Sequence, residues 1–242
     1  MLYKTRGIVF KSTDYSESSL VVQVFTEEFG IQSYLVNGAK KPKAKIRQNM
    51  FQPLQLLEMV VYHKQSGNIQ RIKEVKNSPP FGSIPFHFSK SSIILFLNEV
   101  LYKAIRHQGQ DPALFQFVFH GIELLDRLDE GLANFHLFFL LRLSQFLGFY
   151  PHQGDTAVNA DYFDLQTGSF SQVAPPHTFV LQQPDTGYWN MLLKGNFETL
   201  ANLSIPAARR RILLEKILDY YKLHIDGFTE VKSHHVLEEV LS

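Results

Sequence analysis

The apolar pattern of this 242-residue chain changes period once, at Ser78-Pro79-Pro80-Phe81-Gly82, and that switch excludes a fold of a single class. Paired prolines remove backbone donors and fix φ, so neither a strand nor a helix runs through them. Upstream, apolar and β-branched residues recur in short runs of strand character. Tyr3–Lys11 is one, centred on Gly7-Ile8-Val9-Phe10, and Ser19–Thr26 is the next. Gly30 turns the chain and Ile31–Val36 returns it; Leu54–Tyr62 and Ile69–Val75 follow, joined by a tight turn at Gln65-Ser66-Gly67-Asn68. Five strands with a longer insertion between the third and fourth match an OB-fold over residues 1–80. On strand count alone, an SH3-like barrel competes.

Downstream the period becomes helical. Ile93, Leu97, Val100, Leu101 and Ala104 share one face of a helix ending near Gly109. Asp111-Pro112 combines an N-cap residue with a first-turn proline and opens a second helix. A third, about Asn134–Leu147, is apolar nearly all round and is expected at the centre of its domain, with Gly148 as its stop. Residues 150–188 break the pattern. There Tyr162-Phe163-Asp164-Leu165 and Ser169-Phe170-Ser171 flank Gln166-Thr167-Gly168 as a short hairpin. Helical signals resume at Trp189–Leu193, Pro206–Leu223 and Val236–Leu241. The expected fold is therefore α+β in two domains: an OB-fold at 1–80, then a mainly helical domain at 81–242 with a cysteine-free β-hairpin insertion at 150–188.

Charge follows the same division. Residues 1–80 hold 12 Lys and Arg against 6 Asp and Glu, while residues 81–242 hold 12 against 17, so a net +1 conceals halves of +6 and −5. The sharpest feature is Lys40-Lys41-Pro42-Lys43-Ala44-Lys45-Ile46-Arg47, with five cations in eight positions. Such a run repels itself, stays in solvent and favours a polyanion. A basic loop on a small barrel suits a phosphate backbone, although a solvated loop without a partner accounts equally for the charge. Arg6, Lys11, Lys64, Arg71, Lys73 and Lys76 add to the positive half, and Arg71 and Lys73 are spaced to share a strand face. Of the aromatic residues there, most are core, and Tyr15 and Tyr34 are the better candidates for exposure and base stacking. Arg209-Arg210-Arg211 opens a helix against its dipole, which points to an anionic partner, to pairing of Arg211 with Glu215, or simply to a solvated face.

Catalytic patterns are missing. The chain has no phosphate-cradling glycine loop, no G-x-S-x-G and no H-E-x-x-H. Its ten histidines are scattered and read as surface or half-buried polar residues; His234 and His235 would point about 100° apart on a helix. With no cysteine, disulfides, thiol catalysis and cysteine-ligated zinc are excluded. Neither an enzyme nor a cofactor is expected. No apolar run approaches the roughly 18 residues of a membrane span and no signal-peptide pattern opens the chain, so a soluble, cytoplasmic protein is expected.

In order along the chain, these residues resemble the RecO family of bacterial recombination mediators. The resemblance runs through Gly7-Ile8-Val9, Asp14-Tyr15-Ser16-Glu17-Ser18, Phe25-Thr26 with Glu28 and Gly30, the Gly38–Arg47 loop and Phe51-Gln52-Pro53. It continues through Arg142-Leu143, Leu147-Gly148-Phe149-Tyr150-Pro151 and Lys232-Ser233 with Leu237. The resemblance implies an OB-fold joined to a helical domain that binds single- and double-stranded DNA and anneals complementary strands. It implies help in loading RecA onto DNA coated by single-stranded-DNA-binding protein (SSB). Its implied partners are RecR and the acidic C-terminal tail of SSB. DNA contacts are expected from Lys40, Lys41, Lys43, Lys45, Arg47, Arg6, Lys11, Lys64, Arg71 and Lys73. Arg142, which interrupts an apolar helix, is a candidate for the SSB tail or for a local pair with Asp126. Many family members carry four zinc-binding cysteines after the Gly-Tyr-x-Pro element. This chain has none, which implies a zinc-free insertion held by packing of Tyr162, Phe163, Phe170 and Phe179. The rival readings are an adaptor for an acidic protein and an RNA-binding factor.

Overall fold

The computed structural model describes residues 1–64, 67–105, 108–152 and 160–241. The first strand, β1 (Leu2–Asp14), is long enough to serve two neighbours. It pairs antiparallel with β2 (Leu20–Thr26) through its second half and with β4 (Leu56–Tyr62) through its first. β2 pairs with β3 (Gly30–Val36), β4 pairs with β5 (Gln70–Asn77), and a short parallel seam between β3 and β5 closes the barrel in the order β1-β2-β3-β5-β4. This connectivity is that of an OB-fold and excludes the SH3-like alternative. Of the turn expected at Gln65–Asn68, Gln65 and Ser66 lie outside the described residues.

Gly7 sits where β1 is paired on both sides, opposite Thr26 and Leu57. A Cβ there would lie 2.6 Å from Val24 Cγ1 and 2.7 Å from Met59 Cε. Beyond it, the β1–β2 register slips between Val9 and Lys11, leaving Phe10 as a bulge residue. Val9, Val22, Val24, Tyr34, Val36, Leu57, Met59 and Val61 fill the barrel. On its outer face, Phe10 stacks with Phe25, and Phe25 meets Phe115 edge-on at 5.4 Å. Asn98 donates to the Phe10 carbonyl at 3.1 Å.

The chain forms two compact units: Met1–Phe86 with Leu97–Asp126, and His87–Phe96 with Arg127–Ser242. They cross the boundary read from the sequence. The helix α1 (Phe88–Ile105) contributes to both units, and α2 (Pro112–Arg127) packs with the barrel. The reason is the doubly buried β1–β2 centre, whose outer aromatics need an apolar cover. Asp111 caps α2, accepting from the Leu114 N–H at 2.9 Å. At the other end of α2, Asp126 accepts the Gly82, Ser83 and Ile84 N–H groups at 2.8–2.9 Å. Burial opposes its ionisation, yet these donors outweigh burial and hold its pKa below the ordinary value.

In the second unit α3 (Leu132–Phe146) is buried on nearly every side. It packs against α4 (Asp185–Lys194), α5 (Ala207–His224) and a 3-10 turn at Phe197–Asn202. His136 lies in this core rather than at the surface, and burial together with Arg210 pushes its pKa down to about 3. The expected hairpin is β6 (Tyr162–Asp164) with β7 (Ser169–Ser171), and β8 (Val180–Gln182) joins as a third strand. Phe163 and Phe170 are buried, with Phe163 against Trp189 at 4.9 Å, whereas Phe179 stays 38% exposed. A short helix, α6 (His234–Val240), ends the fold.

Gly30 offers the clearest test of the barrel unit. It turns β2 into β3 at φ +64°, and a Cβ there would fall 2.5 Å from the Gly109 backbone. Both a left-handed φ and a backbone clash oppose a side chain, so Gly30→Ala should destabilise the protein by about 1–3 kcal/mol, read as a lowered melting temperature.

Candidate nucleic-acid interface

Like charges cannot hold one another in place, so the basic segment is positioned by the apolar residues around it. Ala39 and Phe51 are buried in the barrel core, and Ile46 and Met50 pack against it. Between these anchors the backbone closes on itself: Lys41 N–H donates to Gly38, Ala44 to Lys41 and Gln48 to Ala39, at 3.1–3.2 Å. Ser18 accepts the Lys40 N–H at 3.3 Å. The return to β4 is a tight turn in which Gln55 N–H donates to Gln52 at 3.0 Å. Leu54 takes φ 55° there, an uncommon conformation for a branched residue, held by its complete burial and by its N–H on the Val9 carbonyl at 2.7 Å.

This frame sorts the five cations. Lys40 Nζ lies 2.7 Å from Asp14 Oδ1, so it is a tether rather than a free charge. Lys41, Lys43, Lys45 and Arg47 are exposed, and among the described residues none pairs with a carboxylate. Beside them a cleft of about 240 Å³ opens between β1 and the 3-10 turn Gln48–Phe51, bordered by Lys11, Ser12, Gln48 and Gln52. Lys11 Nζ also sits 5.9 Å from the Tyr102 ring.

Other candidate cations separate from the loop. Arg6 is already paired: its Nε and Nη2 donate to Glu27 at 2.8 and 2.7 Å. Its guanidinium also covers the Phe119 ring at 4.7 Å. Gln116 donates to the same carboxylate at 2.7 Å. The Arg6 hydrogen bonds outweigh burial and hold Glu27 below the usual carboxylate range. Arg6 borders an open cleft of about 490 Å³ that also carries Glu27, Glu28, Glu58 and Glu74, a poor setting for a polyanion. Lys76 pairs with Glu58 at 2.7 Å and Lys73 with Glu74 at 3.4 Å. Arg71 and Lys73 are both exposed, as spacing predicts, although the β4–β5 register slip leaves Glu74 exposed beside them. Lys64 borders a further cleft of about 490 Å³, between β3 and the β4–β5 connection.

Among the stacking candidates, Tyr15 is 62% exposed, but Tyr34 is fully buried, and burial pushes its phenol pKa up. Sequence reasoning missed the Asp14 tether and the flat contact of His63 on Phe29. The first was accessible in principle, because a β1–β2 hairpin brings Asp14 to the same end as the basic segment.

In the second unit, Arg142 does not pair with Asp126. It donates to the Tyr150 hydroxyl at 3.0 Å and to the carbonyls of Leu193 and Gly195 at 3.2 and 2.6 Å. Arg209 lies 3.4 Å from Asp185, and Arg210 donates to the Ile205 and Leu241 carbonyls. Arg211 meets no carboxylate among the described residues, so of the three readings of this run the Glu215 pair is not formed. The residues present do not fit the zinc site of related proteins: the chain has no cysteine, and no metal-holding group of three acidic or histidine residues occurs among those described. No helix among them is long and apolar enough to cross a membrane.

Two family models match in tandem: Recombination protein O N terminal over residues 1–81 and Recombination protein O C terminal over residues 85–234. The chain belongs to the RecO family. It is 40% identical to a DNA repair protein RecO of Azobacteroides pseudotrichonymphae over 99% of both chains. It is 37% identical to proteins of the same name from Phocaeicola vulgatus and Flavobacterium psychrophilum, over the full length of each.

The Arg6–Glu27 pair makes a pH prediction. Because the folded pKa of Glu27 is depressed, its contribution is present above the ordinary value of 4.5 and lost as pH falls through the folded value. Glu27→Gln should therefore cost about 1–2 kcal/mol near neutrality and converge with wild type in acid, as followed by denaturant melts across pH.

Proposed function

We propose that the protein is a non-enzymatic DNA-binding mediator of repair and recombination. Membership of a family whose curated relatives are named DNA repair protein RecO supports the general role. The finer reading rests on one observation: four cations project from a segment whose apolar residues are locked into an OB-fold barrel. Lysine and arginine held this way neutralise phosphates without reading sequence. Two complementary strands repel through their phosphates, and bound cations lower that repulsion while leaving base edges free. Annealing then needs no group that makes or breaks a bond. Loading of RecA onto SSB-coated strands, with RecR as partner, belongs to the same proposal.

For the SSB tail the candidate is Arg142. Three of its contacts are already internal, so it would receive a carboxylate only through its remaining donor capacity or by releasing one of them.

The test is the salt dependence of oligonucleotide binding. Four free cations on a single strand should contribute about −3 to the log–log slope, at about −0.7 each. Replacing Lys41, Lys43, Lys45 and Arg47 by Ala should remove that contribution and slow annealing of SSB-coated strands, with the melting temperature unchanged. Arg6→Ala should leave the slope as it is. An unaltered slope in the fourfold variant would exclude the loop as the grip. No affinity at low salt would favour the adaptor reading, and stronger binding to RNA of the same sequence would favour an RNA factor.

A further inference from the structure

We propose that Asn37-Gly38, at the root of the basic segment, is a self-modifying site at which the asparagine becomes isoaspartate or aspartate without an enzyme. Its consequence for binding rests on the phosphate reading above; the modification itself does not. The reaction starts when the Gly38 nitrogen loses its proton and adds to Cγ of Asn37. A C–N bond forms, the Cγ–Nδ2 bond breaks, and ammonia leaves with the proton. Water then opens the succinimide. Cleavage at Cγ gives aspartate, and cleavage at the main-chain carbonyl gives isoaspartate, in which the backbone runs through the side chain. In balance, water is taken up and ammonia is lost, and the new carboxyl ionises at neutral pH.

The fold leaves this route open at Asn37. Glycine follows asparagine nowhere else in the chain, and with no Cβ it lets its nitrogen approach the preceding side chain. Asn37 is exposed, and the Gly38 N–H donates no hydrogen bond among the described residues. Lys41 folds back over Gly38, its Cδ and Cε 3.7 and 3.9 Å from where a Cβ would stand, so a cation lies close to the nitrogen that must ionise. The Ser19 hydroxyl faces Asn37 Oδ1 from 3.5 Å, a donor for the oxygen on which charge gathers as the nitrogen adds. Asn77-Ser78 is the contrasting pair. Just past β5, the Ser78 N–H donates to the Leu56 carbonyl at 3.0 Å, so that nitrogen is occupied.

Position makes the change matter. Val36 and Ala39 are buried on either side of the pair, so a backbone atom added between them displaces the root of the loop. The Lys40 N–H on the Ser18 carbonyl and the Lys40–Asp14 pair both stand at that root. The new carboxylate also arises under the Lys41 side chain and withdraws a cation from phosphate contact. The grip therefore weakens with the age of the molecule.

The experiment is incubation of the folded, full-length protein at mildly alkaline pH, sampled over time by peptide mass spectrometry and by labelling with an isoaspartyl methyltransferase. Asn37 should convert well ahead of Asn77, with isoaspartate on the peptide that holds it. Asn37→Gln closes only a larger, slower-forming ring and should abolish the label at that position with the melting temperature unchanged. A urea-unfolded sample supplies the rate without the fold. In parallel, the log–log salt slope for single-strand binding should flatten by about 0.7, one cation's share, in aged wild type and in Asn37→Asp, and hold constant in aged Asn37→Gln. Conversion in urea with none in the folded protein would overturn the proposal, as would conversion of Asn77 at the same rate as Asn37. Conversion with an unchanged slope would overturn its consequence for the grip. No DNA binding by fresh protein would overturn the phosphate reading and leave the modification standing on the mass data.

Discussion

Mutual repulsion among the cations of residues 40–47 is the constraint to which the barrel answers. The cations cannot position one another, so other contacts must place the segment. Those contacts come from Ala39 on one side, from Phe51 and the buried turn at Leu54 on the other, and from Ile46 and Met50 packing on the core between. Lys40 is spent on Asp14, which fixes the root of the segment and leaves the remaining charges outward. The same economy appears at Arg6, where a cation in the basic half is used to tie β1 to the β2–β3 turn and to cover an aromatic pair. Net charge therefore overstates the surface available to a polyanion, and pairing decides which part of it remains.

The barrel strands and the central helix were legible in the sequence because each rests on a local period. Strand limits differ from the expected ones by a few residues, and Asp111 caps α2 as its residue type requires. What escaped depends on register or on contacts distant in sequence. Tyr34 reads as an exposed stacking residue because β3 has apolar residues on both faces: Ile31 and Leu35 on one, Tyr34 and Val36 on the other. Only the pairing of Tyr34 with Val22 and Gln70 decides that the tyrosine faces inward. Strand β8 escaped because three residues carry too short a pattern to register. His136 escaped because a lone histidine in an apolar run looks polar until its neighbours are known. For Arg142, residue type signalled an unusual helix position but not that backbone carbonyls would meet its charge.

The compact units illustrate how a sequence boundary and a packing boundary can differ. Prolines at 79 and 80 end the strand pattern where they must, yet burial does not stop there. A β-strand pair that is apolar on both faces needs cover on its outer side, and the nearest available apolar surface is helical. Phe115 against Phe25, together with Asn98 on the Phe10 carbonyl, makes α1 and α2 part of the barrel's energetics. Substitutions at these helical positions should thus be read as perturbing the barrel, even though they follow the change of period.

A mediator must release what it holds, and this shapes the chemistry that suits it. Exposed lysines attract phosphates through water at modest energy, and their attraction falls steeply with salt and with competing cationic surfaces. On the proposed reading, a grip of three lysines and one arginine can be displaced one contact at a time, whereas buried, bidentate recognition would commit the strand to one partner. An annealing surface also has to leave most bases unoccupied. On the same proposed reading, phosphate contacts satisfy that requirement directly. A diffuse charged loop held on a rigid barrel therefore suits the proposed role, in which a strand is captured, kept available and handed on.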